Sequence, residues 1–327
     1  MKKLLTFVTL LLFVVATSAA QQAKYIFYFI GDGLGINHIH GTELYNAAVH
    51  TDMADNGKLS FTRFPIRSYV TNHSASSLVT DSSAAATALA SGVKSVNGYM
   101  GVDAEVVPAV TIAELASERG MKVGVATNVA VNHATPSAFF AHDKSRSSYG
   151  KLFEQLLASK VDFAAGASIL TKRSGKSAQQ CVDMAKEAGV EVVQDPKAVY
   201  DIKDKRVLLL GPNLKKQTLE YAVDCKPGDH SIVDYTAAAI DYLERKATSK
   251  GFFLMVEAGH LDYCAHDNDA VTTFEEVNDL SRSVQLALDF YAKHPKQTLI
   301  VITADHETGG LSLGSNDYFM YPEKLAW

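Results

Sequence analysis

The stretch Tyr25-Ile26-Phe27-Tyr28-Phe29-Ile30-Gly31-Asp32-Gly33 sets the reading of the whole chain. An unbroken apolar and aromatic run predicts a strand covered on both faces, released into a glycine-flanked turn that presents an aspartate. The pattern returns twice. Phe252–Val256 ends at Glu257, with Asp262 and His266 following, and Leu299–Thr303 leads through Ala304 to Asp305-His306. Met121–Ala126 and Val207–Leu210 read as further strands. Between them, helical patterns fall at Thr111–Arg119, Tyr149–Ser159, Ala178–Ala188, Ile232–Lys246 and Thr273–Ala292. In the last of these, Phe274, Val277, Leu280, Val284 and Leu288 form a core-facing stripe. This alternation predicts an α/β three-layer sandwich, a mostly parallel central sheet with helices on both faces. Ligands of such sheets bind beyond the carboxyl ends of the strands, where this chain carries its acids and imidazoles.

Composition narrows the function classes. A chain of 327 residues that is 47% hydrophobic has ample material for a large core, so disorder is excluded. The balance of 31 basic against 36 acidic residues, net −5, gives no electrostatic case for nucleic acid or anionic membrane as main partner. No repeat and no linker-like segment divides the chain. Residues 1–20 read as a secretory signal peptide: Met1-Lys2-Lys3, an apolar run over Leu4–Ala16, then small residues through Ala20. The expected mature unit is residues 21–327, exported to the periplasm or secreted and free of the membrane after cleavage. Three cysteines permit at most one internal disulfide without choosing the pair, and Cys264 reads as a small buried hydrophobe.

Asp262 and His266, spaced i, i+4, would lie on one face of a helix and could share a metal ion. Asp305 and His306 would point to opposite faces of a regular strand, but both can turn toward one ion where the strand unwinds. Mixed carboxylate and imidazole ligation suits zinc, whereas all-oxygen sites suit magnesium. In Val79–Ala88 a helix is predicted to begin at Asp81-Ser82, among small residues that allow close backbone approach. A serine there sits where the helix end favours negative charge, which fits a nucleophile. The competing reading is that Asp81 or Ser82 simply caps the helix.

Taken together these residues resemble the alkaline phosphatase family. The resemblance rests on Gly31-Asp32-Gly33, Thr80-Asp81-Ser82-Ser83-Ala84, Ser91-Gly92-Val93-Lys94 through Asn97-Gly98, and His133-Ala134-Thr135-Pro136. It continues with His142 to Ser145-Arg146, Glu257 to Asp262 and His266, and Thr303-Ala304-Asp305-His306, in the family's order from Lys24 to about Gly310. The resemblance implies hydrolysis of phosphate monoesters through a phosphoserine on Ser82, at a site of two zinc ions and one magnesium. It implies that Asp32, Asp305, His306 and the Ser82 oxygen bind one zinc, and that Asp262 and His266 hold the second zinc. Asp32, Thr135 and Glu257 would hold the magnesium, and Arg146 would clamp phosphate oxygens. A homodimer is also implied.

Three departures from the family's pattern stand out. His133 occupies a position where many bacterial members carry an aspartate beside the third metal. Tyr263 follows Asp262 where relatives often carry lysine or histidine. The family's second zinc takes a further histidine well downstream, and no histidine follows His306 before Trp327. The expectation is therefore a C-terminally incomplete member lacking terminal strands. The alternative to a working phosphatase is a non-catalytic or weakly active fragment that binds metal or phosphate. A sulfatase-type Cys-x-Pro-x-Arg motif is not met by Cys225-Lys226-Pro227-Gly228-Asp229.

Overall fold

The computed structural model describes residues 23–49 and 57–314; the expected signal peptide lies outside the described residues. The elements run β1 (Tyr25–Gly31), α1 (Ile36–Val49), α2 (Ser82–Ser91), α3 (Ile112–Glu118), β2 (Lys122–Thr127), α4 (Ala134–Ser137) and α5 (Tyr149–Ala158). They continue with β3 (Phe163–Gly166), α6 (Ala178–Glu187), β4 (Glu191–Val193), a 3-10 turn (Pro196–Asp201), β5 (Val207–Leu210) and α7 (Ile232–Lys246). The last are β6 (Phe252–Ala258), α8 (His260–His266), α9 (Ala270–Lys293) and β7 (Thr298–Ala304).

The seven strands among the described residues join one parallel sheet in the order β4-β5-β3-β2-β6-β1-β7. The chain moves outward from β1 through β2 and β3, then returns to insert β6 beside β1 and place β7 on its far side. The direction of winding thus reverses around β1, which is where an open α/β sheet leaves a crevice for a ligand. Register does the rest. Ile30 lies beside both Glu257 and Thr303, and Gly31 beside both Ala258 and Ala304. Asp32, Glu257 and Asp305 therefore leave the sheet at nearly the same level.

Two cores explain the uninterrupted apolar strands. On β6, Phe252, Leu254 and Val256 pack with Tyr235, Tyr242 and Leu280 from α7 and α9. Phe253 and Met255 face the opposite cluster, with Phe139 and with Leu152 and Phe153 of α5. Because both faces are covered, alternate residues need not be polar. Capping boxes fix the starts of three helices: Thr111 with Glu114, Ser177 with Gln180, and Ser231 with Asp234. Each satisfies two otherwise orphaned backbone donors.

The five anticipated strands are present with ends moved by no more than two residues. β3 and β4 were not anticipated, and neither was α1. The cysteines are all free thiols, with Cys181 and Cys264 buried and Cys225 exposed. Several glycines carry a structural demand, Gly101 among them. Gly101 has φ +60°, and a Cβ there would sit 2.0 Å from the Ala141 carbonyl oxygen. Gly101→Ala is expected to cost at least about 3 kcal/mol of unfolding free energy. Urea titration checks this, and an unchanged midpoint would contradict the close approach.

Candidate active site

β1 and β7 deliver the centre of the site. Asp32 and Asp305 are each 1% exposed. His306 folds back so that its Nε2 lies 3.4 Å from Asp32 Oδ1 and 3.3 Å from Asp305 Oδ2. The unwinding after β7 thus turns both neighbours toward one point, as their adjacency required. The backbone N–H groups of Gly33 and His306 donate to Asp305 Oδ1 at 3.1 and 2.9 Å, fixing that carboxylate. Ligand atoms of Asp32, Asp305 and His306 all lie within 4.8 Å of one another.

Ser82 enters this centre from the first turn of α2. Its Oγ lies 3.1 Å from His306 Nε2 and donates to Asp32 Oδ1 at 3.4 Å. Asp81, not Ser82, is the cap: its side chain accepts from Ala84 N at 2.9 Å. Capping thus falls on Asp81, which leaves the Ser82 hydroxyl free to face His306 and Asp32. Asp81 also accepts from Ser83 Oγ, Gly98 N and Arg146 at 2.8, 2.9 and 3.1 Å. Burial pushes the Asp81 carboxyl up, but these donors outweigh it and hold the group below its ordinary range. Arg146 is thereby brought beside the serine on the same aspartate.

Glu257 forms a second compartment behind Asp32. Its carboxyl is fully buried and accepts from the Thr127 hydroxyl. Thr135, on α4, donates to Asp32 Oδ2 at 3.2 Å. Burial first, and then the Asp32 charge, raise the Glu257 pKa to about 8. Asp305 is raised to about 7, chiefly by burial, and Asp32 is raised by burial and by its acidic neighbours. Among the described residues, Glu257 Oε1 and Asp305 Oδ2 have no hydrogen-bond partner. Packing several carboxyls this closely is unfavourable unless positive charge joins them. The donor sets fit metal ions: two carboxylates and an imidazole for zinc, and oxygens of Asp32, Glu257 and Thr135 for magnesium.

The last pair of predicted ligands is less complete. Asp262 and His266 do share a face of α8, with His266 Nε2 3.4 Å from Asp262 Oδ1. The His266 side chain is 69% exposed. Among the described residues no other histidine, cysteine or carboxylate forms a three-membered group with them. His260 lies buried against Glu276, 3.2 Å away, and His38 Nδ1 accepts from Gly35 N.

Several contributors went unnoticed in the sequence. Thr308 Oγ1 donates to Asp262 Oδ1 at 2.6 Å and lies 3.2 Å from His306 Nδ1, linking the two candidate metal sites. Thr127 secures Glu257, and Asp81, read in the sequence only as a possible cap, also secures Arg146. The His133 Nε2 stands 3.3 Å from the Tyr263 hydroxyl, so the two departures from the family pattern meet each other. Burial and the Arg146 charge depress the His133 pKa to about 3, leaving a neutral ring.

A parallel sheet that gathers buried carboxylates and an imidazole around a helix-start serine defines an α/β protein with a metal-ligating site. The chain belongs to the alkaline phosphatase family, whose pattern matches residues 23–326. It is 32% identical over 306 residues to alkaline phosphatase 4 of Bacillus subtilis, covering 90% of this chain and 64% of that protein. With alkaline phosphatase 3 of the same organism it shares 31% identity over 316 residues, 94% of this chain and 66% of that protein. The chain thus spans just under two thirds of these curated relatives. Its fold is similar to the cold-active alkaline phosphatase of a psychrophilic Shewanella, with TM-score 0.80 and 31% identity over 91% of this chain and 73% of that one. The alkaline phosphatase of the Antarctic bacterium TAB5 gives TM-score 0.77 at 26% identity, covering 91% and 84%. Variants of the TAB5 enzyme in which one histidine is exchanged for glutamate or aspartate carry Mg in the M3 site.

Proposed function

We propose that this chain hydrolyses phosphate monoesters to alcohol and inorganic phosphate, with Ser82 as the group transiently phosphorylated. The observation that carries the reading is the position of Ser82 Oγ, 3.1 Å from His306 Nε2 and 3.4 Å from Asp32 Oδ1, at the start of a helix. Residues 21–327 would act as one catalytic unit, exported after loss of residues 1–20. No helix among the described residues is long and apolar enough to cross a membrane.

Two zinc ions and one magnesium, when bound, would neutralise charge on the attacking and leaving oxygens and favour the serine alkoxide. Asp32, Asp305 and His306 would hold the zinc beside Ser82, Asp262 and His266 the second zinc, and Asp32, Thr135 and Glu257 the magnesium. The chain's own part is positional. Asp81 fixes the helix turn that aims Ser82. Arg146, seated on Asp81, presents its planar guanidinium to phosphate oxygens, which it can bind in bidentate fashion. The α2 N-terminus adds partial positive charge where phosphate would sit.

A second reading is favoured by the exposed His266 and the lack of a third described partner for its site. Under it the chain binds one zinc firmly and turns over weakly. Hydrolysis of a chromogenic phosphate monoester by purified residues 21–327, with metal content measured alongside, separates the two. Turnover with near two zinc ions supports the first reading, and one zinc without turnover supports the second.

We also propose a homodimer. Ile66, Tyr69, Val70, Leu78 and Val79 are each more than 70% exposed on one irregular segment just before α2. Exposed apolar side chains gathered on one segment mark sites of association. Light scattering should give twice the chain mass, and Tyr69→Ser with Leu78→Ser should reduce it to one. A monomeric parent protein would sink this assignment.

A further inference from the structure

His142 lies outside the metal-ligating cluster, on the segment that leads to Arg146. Its Nδ1 lies 2.6 Å from the Gly101 carbonyl oxygen, and its Nε2 lies 3.0 Å from Glu114 Oε1. Neither partner can donate in return, because a carbonyl and an ionised carboxylate only accept. Both contacts are hydrogen bonds only when both ring nitrogens carry protons. A neutral ring would set one lone pair against another. The two partners come from separate elements: Glu114 from α3, where it completes the Thr111 capping box, and Gly101 from the turn after Gly98.

That turn and the Arg146 segment are laced together. Met100 and Asp143 exchange backbone hydrogen bonds at 2.8 Å each, and Arg146 N donates to Gly98 O at 2.7 Å. Gly98 N in turn donates to Asp81, the same carboxylate that receives the Arg146 guanidinium. We propose that His142 is a positioning residue for Arg146: as an imidazolium bridging Gly101 and Glu114, it fixes the root of the loop that presents the guanidinium to phosphate. The proposal rests on Arg146 being the phosphate clamp.

Glu114 is the charged group facing the ring. Gln155 of α5 faces the His142 backbone, accepting from its N–H at 2.9 Å. Asp143 turns to Ser145 N and Ser148 Oγ, with Lys151 Nζ 3.9 Å away, and Asp81 is spent on Arg146. The hydrogen bond to Glu114 raises the His142 pKa against the opposing effect of burial. With the folded value raised, the bridge is complete below imidazole's ordinary titration. It is lost as pH rises through the folded value. Alkaline conditions would therefore loosen the Arg146 loop, weakening its hold on phosphate.

Binding of inorganic phosphate to the zinc- and magnesium-loaded chain tests this without requiring turnover. At about pH 6, His142→Gln is expected to bind phosphate about tenfold more weakly than the parent, a displacement effect on the clamp. The two curves should converge as pH rises, and the difference should vanish when Arg146→Ala is present in both. Glu114→Gln removes the carboxylate charge that holds the ring protonated while leaving the ring in place, and should give the same convergence as pH rises. His142→Lys, which keeps a cationic donor, should recover part of the loss at low pH. A pH-independent deficit, or losses that add fully to those of Arg146→Ala, would overturn the proposal. If Arg146→Ala leaves phosphate affinity unchanged, the clamp assignment itself fails and takes this proposal with it.

Discussion

Ser82→Ala is expected to lower turnover of a phosphate monoester by at least about 10³-fold, with fold and metal content retained. The expectation follows from the division of labour at the start of α2. The cap belongs to Asp81, whose carboxylate takes the Ala84 N–H, so removing the Ser82 hydroxyl leaves the helix start intact. Alanine is also a better helix former than serine in that first turn. What disappears is the oxygen standing between His306 and Asp32. Residual activity would come from water attacking a substrate still held by Arg146 and the metal site. Two measurements check the claim: steady-state hydrolysis, and trapping of labelled phosphate on the protein at acidic pH. Labelled phosphate on parent but not variant supports Ser82 as nucleophile. Equal labelling of both would move the role to another residue.

Asp81 supplies the contrast. Its loss should weaken the cap by about 1 kcal/mol and also release the guanidinium of Arg146. A sequence reading that weighs capping against catalysis as rivals misses that the cap falls on Asp81 and leaves its neighbour Ser82 available for the proposed role. The aspartate stiffens the turn so that the serine can be aimed.

The same distinction runs through what the sequence disclosed. Long strands were legible because burial on both faces leaves no alternation to obscure them, as in Tyr25–Ile30 and Phe252–Val256. β3 and β4 were not, since Phe163-Ala164-Ala165-Gly166 and Glu191-Val192-Val193 are too short to carry a pattern. The helix α1 hid for another reason. Its buried residues include His38, Thr42, Glu43 and Asn46, so no apolar stripe marks its inner face. Asn46 pairs with Asn278 at 2.8 Å, and Glu43 with Lys58 at 2.6 Å, interactions that only the tertiary fold creates. Carboxylates and imidazoles of the site were visible as strand-end residues. Hydroxyl partners such as Thr127 and Thr308 were not, because threonine near a strand end has no signature of its own. Cys264, read as a small buried hydrophobe, is one: its Sγ donates to the His260 carbonyl at 2.8 Å.

Stripped of metal, the folded chain should lose stability as pH rises from about 4 to 8, by on the order of 5 kcal/mol. The sign follows from the carboxyl cluster. Asp305 and Glu257 are held near pKa 7 and 8, against ordinary values of 3.8 and 4.5, and Asp32 is raised as well. The folded state therefore holds protons that the unfolded chain has already released in this window. Each step up in pH favours unfolding until the buried groups have titrated. Metal ions reverse the balance, because they bind the deprotonated carboxylates of the folded state and displace those same protons. Urea unfolding at pH 5 and pH 8, with chelator and then with zinc and magnesium, measures both halves. The chelated protein should be much weaker at the higher pH, and the added metals should restore it there most. Glu257→Gln provides the internal control. It removes one buried ionisation, so the chelated variant should be more stable than the chelated parent at pH 8 while gaining less from magnesium. A metal-free stability that is flat across this range would mean the carboxyls do not converge as described. Metals without effect at pH 8 would mean the cluster is not a metal site.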